Sequence, residues 1–277
     1  MSDYKYDLTI LVPAIRQPLW KRFYDSACKA CKNYSFEVLF ASPFDLPKEL
    51  ENISNIRLYK SYSNVPITMQ KATKTIESDL LWHSVDDEIM FEDSLDKCFE
   101  YFYDNCTDKD VVNCRYREHA NFTSPEFPLY YWKVKNNPEL QLKGIDKEWE
   151  ISLQPLMKTN LFKSLGGFRC NLGINYSNHL HMDLIFRIQM NGGKIYHSPV
   201  EVGNADHYPG RSFDHAEIHD CQIYNDLPIF SRIWDRLDNP IVVDYDNYLE
   251  IDRDWTERFD FKYKSYNEMV IKKGYVK

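Results

Sequence analysis

The sequence of 277 residues is 43% hydrophobic and 27% charged, which provides a core for one large folded domain and excludes a disordered chain. Its 42 acidic and 34 basic residues give a formal net charge of −8, which argues against nucleic acid as a partner because such proteins favour a basic surface. No apolar run reaches the roughly 18 residues that span a bilayer, and the N-terminus has no apolar signal region, so we expect a cytoplasmic protein without a transmembrane segment.

The first part of the sequence alternates apolar, β-rich runs with segments whose apolar residues recur at helical spacing. These patterns predict strands at 8–13, 36–41, 56–59 and 80–84, with helices at 18–32 and 67–76. The alternation is typical of an α/β domain with a mixed, mostly parallel sheet flanked by helices. Ligands of such sheets bind where the strands end, so residues after the first, second and fourth strands are candidate site residues.

The rest of the chain is less regular. It predicts a helix at 92–103, β-like runs at 111–116 and 129–133, a short helix ending at Gly166 and Gly167, a helix at 178–190 and an edge strand at 195–197. We expect residues 1–205 to form one ligand-binding domain. Residues 206–277 are predicted to be an irregular, aromatic-rich extension that packs on the same domain, as a lid over its site or as the side at which a second ligand binds.

Three adjacent carboxylates, Asp86, Asp87 and Glu88, directly follow the predicted strand at 80–84. Their mutual repulsion would be relieved by a hard divalent cation, and Mg²⁺ or Mn²⁺ held there can bridge a diphosphate. An acidic start to the helix at 92–103, favourable with the helix dipole, explains the cluster equally well.

A second polar cluster lies at the start of the predicted helix 178–190. His179 and Asp183 share one face of this helix, as do Asp183 and Arg187, and His181 lies between them. A helix start that carries His and Asp can present a general base. The alternative is a surface ion pair between Asp183 and Arg187, which contributes little stability.

The order of these motifs along the chain resembles that of the family 2 glycosyltransferases, in the nucleotide-diphosphosugar transferase superfamily. The resemblance covers roughly residues 7–200. The matching motifs are the Val12-Pro13 step, the DxD-like acidic cluster near 86, Gly166-Gly167-Phe168 and the Asp183-Leu184-x-x-Arg187 pattern. The resemblance implies a Rossmann-like GT-A fold, a nucleotide-diphosphate sugar donor, Mn²⁺ or Mg²⁺, and inversion at the anomeric carbon.

The sequence departs from the family pattern at several positions. The nearest carboxylate after the second strand is Asp45, and the first acidic residue of the DxD motif falls on Val85 or is shifted to Asp86. The family's catalytic Asp falls on His181, so either His181 or Asp183 is the base, or the enzyme is impaired. His207 resembles the late histidine that some GT-A enzymes use as a metal ligand.

The sequence therefore predicts a hexosyltransferase-like enzyme that moves a sugar from a UDP- or GDP-sugar to a hydroxyl of a glycan or another acceptor. The expected site residues are Pro13, Ala14, Arg16, Asp45 and Asp86 for the nucleotide, Asp87, Glu88 and His207 for the metal, and His181 or Asp183 as the base. One alternative is a nucleotidyltransferase, although the segment after the first strand is a poor phosphate loop. The other is a catalytically inactive sugar- or partner-binding module, which Val85 and His181 favour.

Overall fold

A computed structural model of the protein describes most of the chain. The described residues are 4–118, 132–133, 149–171, 177–205, 222–235, 240–248, and four positions between 265 and 271. His207, predicted as a metal ligand, lies outside these residues, and so do Tyr130 and Tyr131 in the predicted β-like run at 129–133.

Strands and helices alternate through the first part of the chain, as the sequence predicts. The strands are β1 (Tyr6–Pro13), β2 (Phe36–Ser42), β3 (Ile56–Lys60), β4 (Ser78–His83), β5 (Glu88–Met90), β6 (Val111–Glu118), β7 (Trp132–Lys133), β8 (Glu150–Ile151), β9 (Pro155–Lys158) and β10 (Ile195–Ala205). The helices are α1 (Gln17–Ala30), α2 (Val65–Thr73), α3 (Ser94–Asn105), α4 (Thr159–Ser164), α5 (Ser177–Met190) and α6 (Leu227–Trp234).

Eight of these strands form one sheet in the order β3-β2-β1-β4-β9-β6-β10-β5. The pairs among β3, β2, β1 and β4 are parallel, and so is the pair of β6 with β10. Only β9 and β5 run antiparallel to their neighbours in this sheet. The prediction of a mixed, mostly parallel sheet of the GT-A, Rossmann-like type is confirmed.

The sheet is apolar on both faces because helices cover both. In β1, the side chains of Leu8, Ile10 and Val12 belong to the core layer shared with α1 and α3. Leu11 faces the opposite layer, which α2, α4 and α5 complete. This alternation explains why β1 is a continuous apolar run in the sequence.

Three strands of the eight-stranded sheet differ from the sequence-based prediction. A strand is present at the predicted position 195–197, but it is longer than predicted and is not the edge strand, because β10 runs to Ala205 and pairs with β6 on one side and β5 on the other. The length of β10 cannot be predicted from a periodic pattern, because the strand has a register shift between His197 and Glu201 and contains polar residues. β5 and β9 are too short to give a periodic pattern.

Two described parts of the C-terminal segment, α6 and residues 240–248, pack on the helices of the domain. Trp234 and Phe230 of α6 lie against Phe186 of α5, with ring centroids 5.3 and 5.9 Å from that ring. The expectation that this segment is irregular is wrong for α6, whereas the division of the chain at residue 205 stays a prediction.

Residues 240–248, which we call the C-terminal strap, cross over α2 and the turn after α4. The Gln70 side chain donates to the carbonyls of Gly166 (2.9 Å) and Tyr245 (3.1 Å) and accepts from the Phe168 N–H (2.8 Å). Val243 N–H donates to the Leu165 carbonyl at 3.1 Å. The Gly-Gly-Phe turn is therefore enclosed between α2 and the strap.

Gly166 requires glycine for two reasons. Its φ of +79° lies in the left-handed region, and a Cβ there would lie 1.8 Å from the Val243 carbonyl oxygen. Gly192, with a φ of +83°, has nothing within 4 Å of the same position and so shares only the first reason.

We predict that Gly166→Ala destabilises the protein several times more than Gly192→Ala. The strain of a positive φ costs about 1 kcal/mol in both variants. Only Gly166→Ala also displaces the strap backbone. Urea unfolding monitored by tryptophan fluorescence measures both losses, and equal losses would contradict the close packing of the strap.

Candidate functional site

The candidate site lies at the edge of the sheet where the parallel strands end. β1 and β4 are neighbours, with Leu11 opposite His83, so the connections that follow them are adjacent. These connections carry Arg16 after β1 and Asp86 and Asp87 after β4. The position agrees with the rule that ligands of open α/β sheets bind at the carboxyl ends of strands.

Asp86 shapes the connection between β1 and α1. Its buried carboxylate accepts the backbone N–H groups of Ile15 (2.8 Å) and Arg16 (2.7 Å) and the indole N–H of Trp20 (3.3 Å). It also accepts an Arg16 guanidinium N–H at 2.6 Å. Because protein donors already engage both oxygens, Asp86 fixes the loop that forms the predicted nucleotide site.

Arg16 and Asp87 bring opposite charges together at this edge. The Arg16 Nη1 atom lies 3.9 Å from Asp87 Oδ2, and both side chains are largely buried. The other predicted nucleotide-site residues of this loop lie beside them, Ala14 buried and Pro13 half-buried. A guanidinium and a carboxylate are the groups that recognise a diphosphate and a divalent cation respectively.

Asp45 lies at the same edge, after β2, but on the surface. Its carboxylate pairs with Lys60 at 2.6 Å, and its carbonyl accepts from the Gln17 side chain at 2.7 Å. The hydrogen bond to Asp45 raises the pKa of Lys60. Asp45 thus links the ends of β2 and β3 to the start of α1.

Glu88 turns into the protein instead of toward the edge. It is fully buried, and its carboxyl accepts from the Ser84 hydroxyl (2.6 Å) and the Gln154 amide (3.0 Å). A Cβ on Gly203 would lie 2.7 Å from its Oε1. Burial raises the pKa of Glu88 to about 7, which favours the protonated form. Metal ligands are ionised, so this environment does not suit the metal role predicted for Glu88.

Asp87 is the remaining acidic candidate for a metal. Among the residues that the structure describes, no three His, Cys, Asp or Glu side chains are grouped so as to hold a metal. A magnesium ion often takes only one or two carboxylates from the protein and completes its shell with phosphate oxygens and water. The chemistry of Asp87 fits that mode of binding.

Asp183 is the centre of a buried ion-pair network. It is almost fully buried, and it accepts from Arg169 Nε (3.0 Å), Arg187 Nε (2.8 Å) and Trp234 Nε1 (3.2 Å). Arg187, also fully buried, donates to the carbonyls of Leu165 and Gly167. The interpretation of Asp183 and Arg187 as a surface pair is therefore wrong.

His181 is buried on α5 and has one free nitrogen. Its ring forms a hydrogen bond with the backbone of Leu153, while Nε2 has no hydrogen-bond partner. Burial lowers the pKa of His181 to about 4, so the ring is neutral at physiological pH. Nε2 is therefore a buried nitrogen without a hydrogen-bond partner, and the lone pair of such a nitrogen can accept a proton.

His83, at the end of β4, is a neighbour that the sequence did not single out. Its ring stacks on His181 with centroids 4.9 Å apart and an interplanar angle of 24°. The available sequence signal was a histidine that ends a buried apolar strand. His179, by contrast, packs against Phe230, with ring centroids 5.2 Å apart.

The fold is shared with solved structures, although no protein-family model and no curated protein sequence matches the chain. S. aureus TarS 1–349, alone and in complex with UDP, superposes with a TM-score of 0.50 at 12% identity. That match covers 79% of this chain and 66% of the TarS chain, just under two thirds of its length.

The same TarS segment in complex with UDP-GlcNAc gives a TM-score of 0.52 at 12% identity, over 76% of this chain and 61% of that one. The protein therefore shares the GT-A-like α/β fold of these solved structures. No helix in the described ranges is long and apolar enough to cross a membrane.

We predict that Glu88→Gln stabilises the protein at pH 8. The folded state holds the Glu88 proton up to about pH 7, whereas the ordinary pKa is 4.5. The free energy of unfolding of the wild type therefore falls as the pH rises from 4.5 to 7, by up to about 3 kcal/mol. Glutamine does not titrate, so the advantage of the variant should appear across this window and vanish below pH 4.5.

Urea unfolding at several pH values measures this difference. Glu37→Gln is the matched control, because buried Glu37 accepts two N–H groups of Arg57 at 2.6 and 2.7 Å and should lose stability on neutralisation. A Glu88→Gln variant that is less stable than wild type at pH 8 would show that Glu88 is ionised.

Proposed function

We propose that the protein is a glycosyltransferase that moves a sugar from a nucleotide-diphosphate donor to a hydroxyl of an acceptor, with Mg²⁺ or Mn²⁺ as cofactor. The proposal rests on how three side chains are arranged. Arg16 and Asp87 lie at the carboxyl edge of a GT-A-like sheet, and β4, the strand before Asp87, ends in His83, whose ring stacks on His181. A candidate anion site (Arg16), a candidate metal ligand (Asp87) and a candidate base (His181) thus belong to one region.

The donor is proposed to bind at the loop that Asp86 holds. Arg16 would contact the diphosphate, Pro13 and Ala14 would line the nucleotide pocket, and Asp45 marks its outer side. The complexes of the structural neighbour with UDP and UDP-GlcNAc favour a UDP-sugar over a GDP-sugar.

Asp87 is proposed to hold the metal, with His207 as a possible further ligand from outside the described residues. The metal would supply positive charge to the leaving diphosphate. Arg16 would stabilise the negative charge of the same diphosphate, because Asp86 fixes the position of its guanidinium.

His181 is a better candidate for the base than Asp183. The carboxylate of Asp183 would have to leave two arginines and an indole N–H in a buried environment, which costs several kcal/mol. His181 would accept the hydroxyl proton at Nε2 while the hydroxyl oxygen bonds to the anomeric carbon. The bond from that carbon to the diphosphate oxygen breaks, and its electron pair leaves with the nucleotide. Attack opposite the leaving group gives inversion.

The experiment is donor binding followed by transfer. We expect UDP to raise the melting temperature of the wild type, and Mn²⁺ to increase the effect, because ligands that bind only the native state stabilise it. Asp87→Asn should remove the contribution of Mn²⁺. Asp25→Asn is the control, since Asp25 is an exposed carboxylate paired with Lys21 on α1.

His181→Ala should retain UDP binding and lose at least about 100-fold in turnover. His179→Ala, a buried histidine on the same helix, controls for damage to α5. Full turnover by Asp87→Asn would contradict the metal assignment. Binding of UDP-sugars by the wild type with neither hydrolysis nor transfer, even with metal supplied, would favour the inactive binding module.

A further inference from the structure

His83 has no hydrogen-bonding role in the described structure. It is fully buried, and neither of its ring nitrogens has a hydrogen-bond partner. Its contacts are with rings: His181 at 4.9 Å, Phe168 at 5.1 Å and Phe162 at 6.0 Å between centroids. A buried polar group without a partner destabilises a protein, and phenylalanine would fill nearly the same space without that cost.

The surroundings of the histidine pair contain no acidic partner. Asp183 of α5 bonds to Arg169 and Arg187, and the Cys170 thiol lies near that network. The strand β4 and the helix α4 contribute apolar rings. Within the described chain, no carboxylate is hydrogen-bonded to either imidazole, so none of these residues gives His181 a charged hydrogen-bond partner.

We propose that His83 is a positioning residue whose ring stabilises the positive charge that forms on His181 when His181 takes the acceptor proton. The inference rests on the proposed function. A neutral imidazole has a large dipole in the plane of its ring, and the tautomer whose lone pair lies on the side of His181 would stabilise a cation there. A phenyl ring has no such dipole. In a dry site, a fixed dipole aimed at a developing charge acts strongly.

The resting state agrees with this role. Burial lowers the pKa of both rings, His83 to well below its ordinary value and His181 to about 4, so both are neutral before the reaction. The unpartnered nitrogens of His83 would then interact with a charge only when His181 becomes protonated. This explains a histidine at a position where packing alone favours phenylalanine.

The test compares His83→Phe with His83→Asn. Phenylalanine keeps a stacked ring and removes the dipole, so this variant should melt at or above the wild-type temperature and lose about tenfold in kcat, with the donor KM unchanged. Asparagine restores a neutral dipole, and His83→Asn should recover most of the kcat. Phe162→Leu is the control, because Phe162 contacts His83 and Phe168; it should lower stability without changing kcat.

An NMR titration of His181 provides a reading that does not depend on turnover. At pH 4 about half of the wild-type His181 rings should be protonated, given a pKa of about 4, and clearly fewer in His83→Phe. An unchanged His181 titration in His83→Phe would overturn the proposal, whether or not the protein transfers sugar. Wild-type kcat in His83→Phe would overturn it as well. A wild type without transfer contradicts the proposed function, and the titration alone then decides the role of His83.

Discussion

The buried carboxylate of Asp183 holds together the half of the molecule that presents His181. Its three donors come from the turn after α4, from α5 itself and from α6, while Arg187 extends the network to the Gly-Gly-Phe turn and to the strap. A charge in such a place is tolerable only when it is fully paired, because removing one partner leaves another ion uncompensated in a dry interior. The orientation of α5, and with it the position of His181, follows from this constraint.

Asp86 is a second buried carboxylate that holds structural elements together, on the other side of the site. It gathers two backbone N–H groups, an indole and a guanidinium, and so fixes the loop on which a nucleotide would lie. Asp86 and Asp183, which match motif positions in the family resemblance, thus act here by holding other groups in place. Asp87, beside Asp86, and His181, two residues before Asp183, are the residues proposed to take part in the chemistry.

The sequence was most informative where burial and periodicity agree. β1, β2 and β4 are covered on both faces, so their apolar runs could be read directly, and helix α1 repeats its apolar residues every turn, whereas α5 is buried nearly all round and was located by the Asn191-Gly192-Gly193 segment that ends it. β9 could not be found, because a four-residue strand inserted between β4 and β6 depends on pairing partners far away in the chain. The same limit applies to β10, whose polar residues resemble a loop.

The site was predictable as a region but not in its details. The rule for strand ends predicted that Arg16, Asp86 and Asp87 would lie together, as they do because β1 and β4 are adjacent, while their roles stay predictions. The burial of Glu88 depends on the space left by Gly203 across the sheet, and the pairing of His83 with His181 joins a strand to a distant helix. Neither relation leaves a local pattern in the sequence.

The strap also has a consequence for the way in which the protein is made. Gln70 and Tyr245 are 175 residues apart in sequence, yet one side chain joins both to the turn at Gly166. During synthesis, α2 and that turn leave the ribosome long before their last neighbour exists. This part of the site can reach its final form only after residues 240–248 have left the ribosome, and contacts of such long range slow folding.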